Sequence, residues 1–222
     1  AGRHVKASGG SSVAIGSGAR AEGTVSFASG INTYANGYAS VAMGGYSETG
    51  GAYSFAIGDS TTTYGLGSVA MGKDTQATSN YSFAVGHDSN ASGVASNAFG
   101  IGTIAESFGT TVIGQYNAPS VSPNPGTFLD TNMAFAIGNG TSDTTRSNAF
   151  EVLFNGDTNV RGDVTVNGEL DAYSFVGDGS GLTNTPDEQD LTSATLSGTR
   201  LTIAIENGAS VEVDLAPLLT DI

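Results

Sequence analysis

The chain contains no cysteine. That excludes disulfide staples, thiolate chemistry and cysteine-based zinc sites. It assigns no compartment, because secreted bacterial β-solenoids also do without cysteine. No run of about 18 apolar residues occurs, so no segment reads as a membrane-spanning helix. Charge is scarce, and positive charge scarcest: 7 Lys and Arg stand against 21 Asp and Glu, and no Lys follows Lys73. Residues 1 to 114 hold six acidic and four basic residues, a net of −2, whereas residues 115 to 222 hold fifteen and three, a net of −12. Nucleic-acid phosphates and anionic membrane surfaces both need a Lys/Arg footprint that this chain lacks. The sequence begins at Ala1 with no signal-like segment in it, and the chain is expected to be a mature form or an excised part of something longer.

What is abundant is glycine, with 33 residues, together with Ser, Thr, Ala and Asn. Such a composition raises the question of disorder. A strict period answers it. The phrase SVAIG at Ser12 returns as SFASG at Ser26, SVAMG at Ser40 and SFAIG at Ser54. It continues as SVAMG at Ser68, SFAVG at Ser82, SNAFG at Ser96 and TTVIG at Thr110. Eight copies fourteen residues apart, without a slip, describe one unit stacked on itself.

Each phrase alternates in the manner of a strand. One column runs Val13, Phe27, Val41, Phe55, Val69 and Phe83, alternating medium and large. A second runs Ile15, Met43, Ile57, Met71, Val85, Phe99 and Ile113, broken by Ser29. A small column, Ala14 to Ala98, lies between them. Half a repeat later comes Ala-x-Gly, as at Ala21, Ala35 and Ala91, with Thr-x-Gly at Thr49 and Thr63. A coil therefore holds two short strands of about five residues and two tight turns, with the recurring Gly16 column suited to a turn. Such a coil is too thin to bury both the Ala/Ser column and the Val/Ile/Phe/Met columns. One set lines the interior and the other needs a partner, which implies self-association, most simply identical rolls side by side around an axis. Spacing alone leaves open which column faces in.

SVAIG followed seven residues on by Ala-x-Gly resembles the head repeat of trimeric autotransporter adhesins, the YadA-like head, over residues 7 to 114. The resemblance implies an all-β fold, a left-handed parallel β-roll, assembled as a homotrimer. It implies an extracellular, cell-surface protein that adheres to a host surface protein, matrix component or glycan. The Val, Ile, Phe and Met columns would then be repeat core and inter-chain packing.

After Gly114 the register fails. Gln115 to Met133 carry three of the five prolines, Pro119, Pro123 and Pro125, and Ala134 to Gly138 restore the phrase. One coil thus holds a ten-residue insertion, looped out of the stack as a cap or a recognition loop. Strands are expected at Ala149 to Phe154, with a turn at Asn155-Gly156, and again at Asp163 to Val166 and Ala172 to Val176. A hairpin is expected from Leu201, Ile203 and Ile205 through Asn207-Gly208 to Val211, Val213 and Leu215. The polar DEQD of residues 187 to 190 precedes it as a linker. Three copies of that hairpin around an axis would bury its apolar faces. The division expected is a head at 1–138 with its insertion at 115–133, a trimeric β connector at 139–186, and the hairpin module at 187–222. GQYN at Gly114, RSNAFEVLFNGD and FVGDGSGLTN resemble connector modules of bacterial surface proteins and of phage-type tail fibres. A structural fibre, phage-like, of an injection machine or a self-assembling filament, is therefore the alternative.

No enzyme, cofactor or metal site is expected. No nucleophile–base pair or carboxylate dyad stands out. His4 and His87 are the only histidines, and with no cysteine no transition-metal set is expected within one chain. Asp157, Asp163, Asp171 and Asp178 lack calcium-loop spacing. The Gly-rich stretch at Asp178 lacks the Lys of a phosphate loop. Arg161-Gly162-Asp163 spells an integrin tripeptide, but Gly-Asp is ordinary turn punctuation. A hydroxyl column, Thr33, Ser47, Thr61, Thr75, Ser89 and Thr103, reads as turn hydroxyls capping backbone groups and only poorly as an ice-matching ladder.

Overall fold

The computed structural model describes residues 3–174, 176, 191–205 and 210–216. It contains strands and turns and no helix longer than a single turn among those residues. Two compact units divide between Thr165 and Val166.

The first unit is a β-solenoid of about eight coils. Each SVAIG-type phrase forms a five-residue strand, from Val13–Ser17 through Phe27–Ile31 to Thr111–Gln115, and successive copies pair in parallel. The register is the sequence period itself: Val13 faces Phe27, Ala14 faces Ala28 and Gly16 faces Gly30. The Ala-x-Gly phrase forms the other wall, eight parallel strands from Lys6–Ala7 to Ile104–Ala105. These are two residues long, not about five. The reason is the chain's curvature: each coil must turn at three positive-φ positions, such as Gly30 at +134°, Asn32 at +50° and Ala39 at +49°.

The interior belongs to the small residues. Ala28, Ala42, Ala56, Ala70, Ala84 and Ala98 are fully buried, and so are Ala35, Ala77, Ala91 and Ala105 on the facing wall. Ser40, Ser54, Ser68 and Ser96 share that interior. The two walls lie so close that Ala, Ser and Thr side chains fill the space between them, with Val112 the one larger apolar side chain fully buried near the top. Each buried methyl-sized group adds only about 0.8 kcal/mol, so the ladder of backbone hydrogen bonds carries much of the order. The hydroxyl column Thr33, Ser47, Thr61, Thr75, Ser89 and Thr103 is completely buried here. It is therefore interior packing and cannot present an ice-matching surface. Thr61 Oγ donates to Ser47 Oγ at 2.8 Å and Thr103 Oγ to Ser89 Oγ at 2.9 Å, while Ser47 also reaches the Gly58 carbonyl at 3.1 Å.

Glycine in the Gly16 column is obligatory. A Cβ on Gly30 would lie 1.8 Å from the Gly44 carbonyl oxygen, and its φ of +134° suits glycine alone. The other two turn columns accept side chains at positive φ, including Val25 at +61° and Tyr53 at +57°. The ladder holds them there: Val25 N–H donates to the Gly10 carbonyl at 2.7 Å and Tyr53 N–H to the Tyr38 carbonyl at 2.8 Å.

The phrase resumes across the insertion as its spacing implies, with Thr111 against Phe135 and Gly114 against Gly138. The sheet does not stop at Gly138. Met133–Asn139 pairs antiparallel with Asn148–Leu153, which pairs with Thr158–Val160, so the expected connector strand extends the long-strand sheet to eleven strands. Direction reverses there because a tight loop can join antiparallel strands. The strands expected at Asp163 to Val166 and Ala172 to Val176 are absent among the described residues. Val164, Val166, Tyr173 and Val176 are exposed, and among the described residues no strand pairs with them.

The second unit contains a three-stranded antiparallel sheet, Leu191–Ser197, Arg200–Ile205 and Val211–Asp214. Leu196, Leu201 and Val213 align across it, and Leu196 and Val213 are exposed. Asp178, most of FVGDGSGLTN, the 187–190 linker and the Asn207-Gly208 turn lie outside the described residues.

Candidate interaction surface

The two walls of the roll present opposite chemistry to the outside. Val13 and Ile15 are 45% and 51% exposed, and Met43, Phe55 and Met71 are each about two-fifths exposed. Phe27, Val41, Ile57, Val69, Phe83, Val85, Phe99 and Ile113 are half-buried by their neighbours in the same columns. Phe83 and Phe99 meet edge to face at 5.2 Å. The columns singled out from the sequence thus share one continuous apolar face of the long-strand sheet, and none of them lines the interior of the single chain.

The short-strand wall is polar outside. Its outward column reads Arg20, Tyr34, Glu48, Thr62, Gln76, Asn90 and Ile104. Arg20 stacks over the Tyr34 ring at 5.5 Å and Lys6 pairs with Glu22 at 2.8 Å. The hydrogen bond from Lys6, reinforced by its charge, holds the Glu22 carboxyl below its ordinary range.

The upper end of the roll is closed by side-chain amides, a feature the sequence reading did not anticipate. Asn117, fully buried, accepts from Ile104 N–H at 2.7 Å and donates to the Ile104 carbonyl at 3.0 Å. Its amide takes the place of the next strand's backbone. Asn148 repeats the clamp on Ala118, accepting at 2.9 Å and donating at 3.0 Å. Arg146 lies over the Tyr116 ring and donates to the Gly102 carbonyl at 2.6 Å. The Tyr116 ring occupies space above Gly102 that a Cβ there would fill, at 2.5 Å. The QYN and RSN phrases were the available signal: each ends in an Asn, Asn117 and Asn148, whose amide can pair exposed backbone groups.

The Pro-rich insertion folds down against the turns of the upper coils. The Asn124 carbonyl accepts from Phe108 N–H and the Pro125 carbonyl from Val94 N–H, each at 2.8 Å. Phe128 packs on Phe154 at 5.0 Å, and Thr110 donates to the Met133 carbonyl at 2.6 Å.

Other sequence candidates fall on this frame as follows. Three metal-capable groups do gather within one chain, contrary to expectation: Asp74, His87 and Asp88 come within 4.8 Å of one another because the coil repeat stacks their turns. The two imidazole nitrogens face different carboxylates, Nε2 at 3.9 Å from Asp74 and Nδ1 at 3.4 Å from Asp88. Lys73 already pairs with Asp74 at 2.6 Å. The arrangement is a charge cluster on a turn. Asp157, Asp163 and Asp171 are exposed and are not brought together among the described residues. Arg161 lies along a shallow hollow of about 330 Å³ and donates to the Asn148 carbonyl at 3.3 Å, so its guanidinium is tied back toward the sheet.

Residues 7–33, 35–61 and 64–89 match the family model of the YadA head domain repeat (2 copies). These segments are YadA head repeats. Each match covers about two of the fourteen-residue coils, so the matched YadA head repeats account for the first six of them. The YadA head is a structural and adhesive β-roll. No curated protein matches the chain.

Proposed function

We propose that the chain is the head and neck of a trimeric, cell-surface adhesin fibre, binding a host, matrix or cell-surface ligand through the extended wall of a YadA-type roll. The observation that carries this is the asymmetry of the two walls. The long-strand sheet exposes Val13, Ile15, Met43, Phe55 and Met71 in one stripe, while the opposite wall is polar. A continuous apolar stripe along a whole solenoid marks an interaction face. Closing three such stripes around a three-fold axis buries all of them and leaves three polar walls outward. The exposed Leu196 and Val213 of the C-terminal sheet support the same symmetry in the neck. Three equivalent walls on one fibre give avidity to contacts that are individually weak.

Sedimentation of the full chain at micromolar concentration tests the assembly, and a trimer is expected. Val69→Asp with Phe83→Asp, two charges on the apolar stripe, converts it to monomer. A wild-type chain that stays monomeric refutes the proposal. Retention of the trimer on matrix proteins or whole cells, and loss of that retention on dissociation, tests adhesion separately.

A further inference from the structure

The turn that leads from each short strand into the next long strand carries an uncharged ridge off the apolar sheet face. Two adjacent positions per coil form it, and the large side chain alternates between them. The second position is large at Val25, Tyr53 and Tyr81, beside Thr24, Ala52 and Asn80. The first position is large at Tyr38, Leu66 and Val94, beside Ala39, Gly67 and Ala95. Tyr38, Tyr53 and Tyr81 are each half exposed or more, and Tyr38 and Tyr53 meet edge to face at 5.4 Å. Tyr81 rests against Gly67, where a Cβ would lie 3.3 Å from its ring. No charged residue occupies either position from coil one through coil seven.

The same turn presents a row of backbone N–H groups. Those of Thr24, Tyr38, Ala52 and Asn80 have no protein acceptor among the described residues. The row is interrupted at Leu66, whose N–H donates to Asn80 Oδ1, and at its upper end Val94 and Phe108 donate to the insertion's carbonyls. The chain's own loop thus shows that this row accepts an oxygen-bearing strand laid along the roll.

We propose that the open part of the ridge is a stacking platform for an uncharged β-1,4-linked polysaccharide chain running along the roll axis. This deepens the adhesive reading and rests on it. Three observations select that occupant. Absence of charge disfavours sulfated glycans and acidic or basic peptides. Spacing disfavours a long peptide: coils repeat at about 4.8 Å while an extended chain advances roughly 3.1 to 3.4 Å per residue, so a peptide keeps step for about two coils, as Asn124 and Pro125 do at Phe108 and Val94, and then drifts. A β-1,4-linked hexose chain advances by close to one coil per sugar. Its successive sugars are also flipped, so the same face returns every second sugar, matching the two-coil alternation of the ridge. Tyrosine rings offer apolar faces to sugar C–H groups, and the N–H row meets hydroxyl oxygens.

The test uses the full chain on insoluble β-1,4-glucan and β-1,4-linked N-acetylglucosamine polymer, with α-linked glucan and heparin as comparators. Retention on the β-linked polymers that survives high salt is expected. Tyr53→Ala with Tyr81→Ala should weaken it by about ten-fold or more, and the Phe pair should preserve it. With no tryptophan in the chain, tyrosine absorbance reports ring stacking directly. A trimer that binds cells but none of the β-linked polymers overturns this inference and leaves the adhesive reading standing. Loss of the trimer in the Ala pair shows the ridge to be a subunit contact and also overturns it. Polymer retention by a monomeric wild-type chain supports the platform while refuting the trimeric reading.

Discussion

Replacing Asn117 by Ala should unzip the top of the roll. The amide makes two hydrogen bonds, at 2.7 and 3.0 Å, to the backbone N–H and C=O of Ile104, and its residue is fully buried. Removing it leaves one donor and one acceptor unpaired in a site water reaches poorly. Each such orphan costs about 1–3 kcal/mol, so a loss of about 3 kcal/mol is expected. Because a solenoid's stability is a chain of nearest-neighbour terms, the loss should appear first in the last coils. Amide hydrogen exchange is the decisive assay: protection at Ile104, Ala105 and Asn90 should fall well before that at Tyr34 or Glu48. Asn117→Asp separates geometry from polarity. An ionised carboxylate accepts from Ile104 N–H but cannot donate to its carbonyl, and burial disfavours its charge. That variant should be worse than wild type at neutral pH and recover as acid protonates it. Unchanged exchange in the upper coils of Asn117→Ala, or a stability loss under about 0.5 kcal/mol, would refute the cap.

Gly30→Ala should be far more damaging than an ordinary Gly-to-Ala change, by several kcal/mol or about that, because its Cβ meets the Gly44 carbonyl at 1.8 Å; thermal unfolding measures it. Gly102→Ala should displace the Tyr116 ring and cost about 1–3 kcal/mol, with a change in tyrosine near-ultraviolet dichroism as its marker. Burial raises the Glu106 carboxyl, so its charged form is penalised above that raised pKa and the penalty vanishes below the unfolded value. Glu106→Gln should therefore stabilise at pH 7 by less than ~1 kcal/mol and match wild type near pH 4, read from melting temperature across pH.

The coil was legible because its register is the sequence period: Val13 to Phe27 is both one repeat and one ladder step. The inward column was not, since Ala14 and Ile15 are equally apolar by pattern. The interior's width, set by the closeness of two hydrogen-bonded walls, makes the choice. Val25 and Tyr53 at positive φ gave no signal either, because the ladder imposes their conformation against local preference. The amide cap was hidden for a related reason. Asn117 and Asn148 act through backbone groups thirteen and thirty residues away, and polar residues in a loop look alike until the sheet edge is in place. The segments at Asp163 to Val166 and Ala172 to Val176 have strand composition, but a ladder needs a second strand, and among the described residues none pairs with them.

The Val and Phe alternation down the outer column gives the roll a grain coarser than its coil. Removing or duplicating fourteen residues would preserve every ladder bond yet set two Phe coils, or two Val coils, side by side. Twenty-eight residues is the smallest segment that can be added or lost while both the apolar stripe and the turn ridge stay in phase. The length of the roll can thus change by whole coil pairs, a molecular ruler whose smallest division is set by side-chain size and not by the backbone.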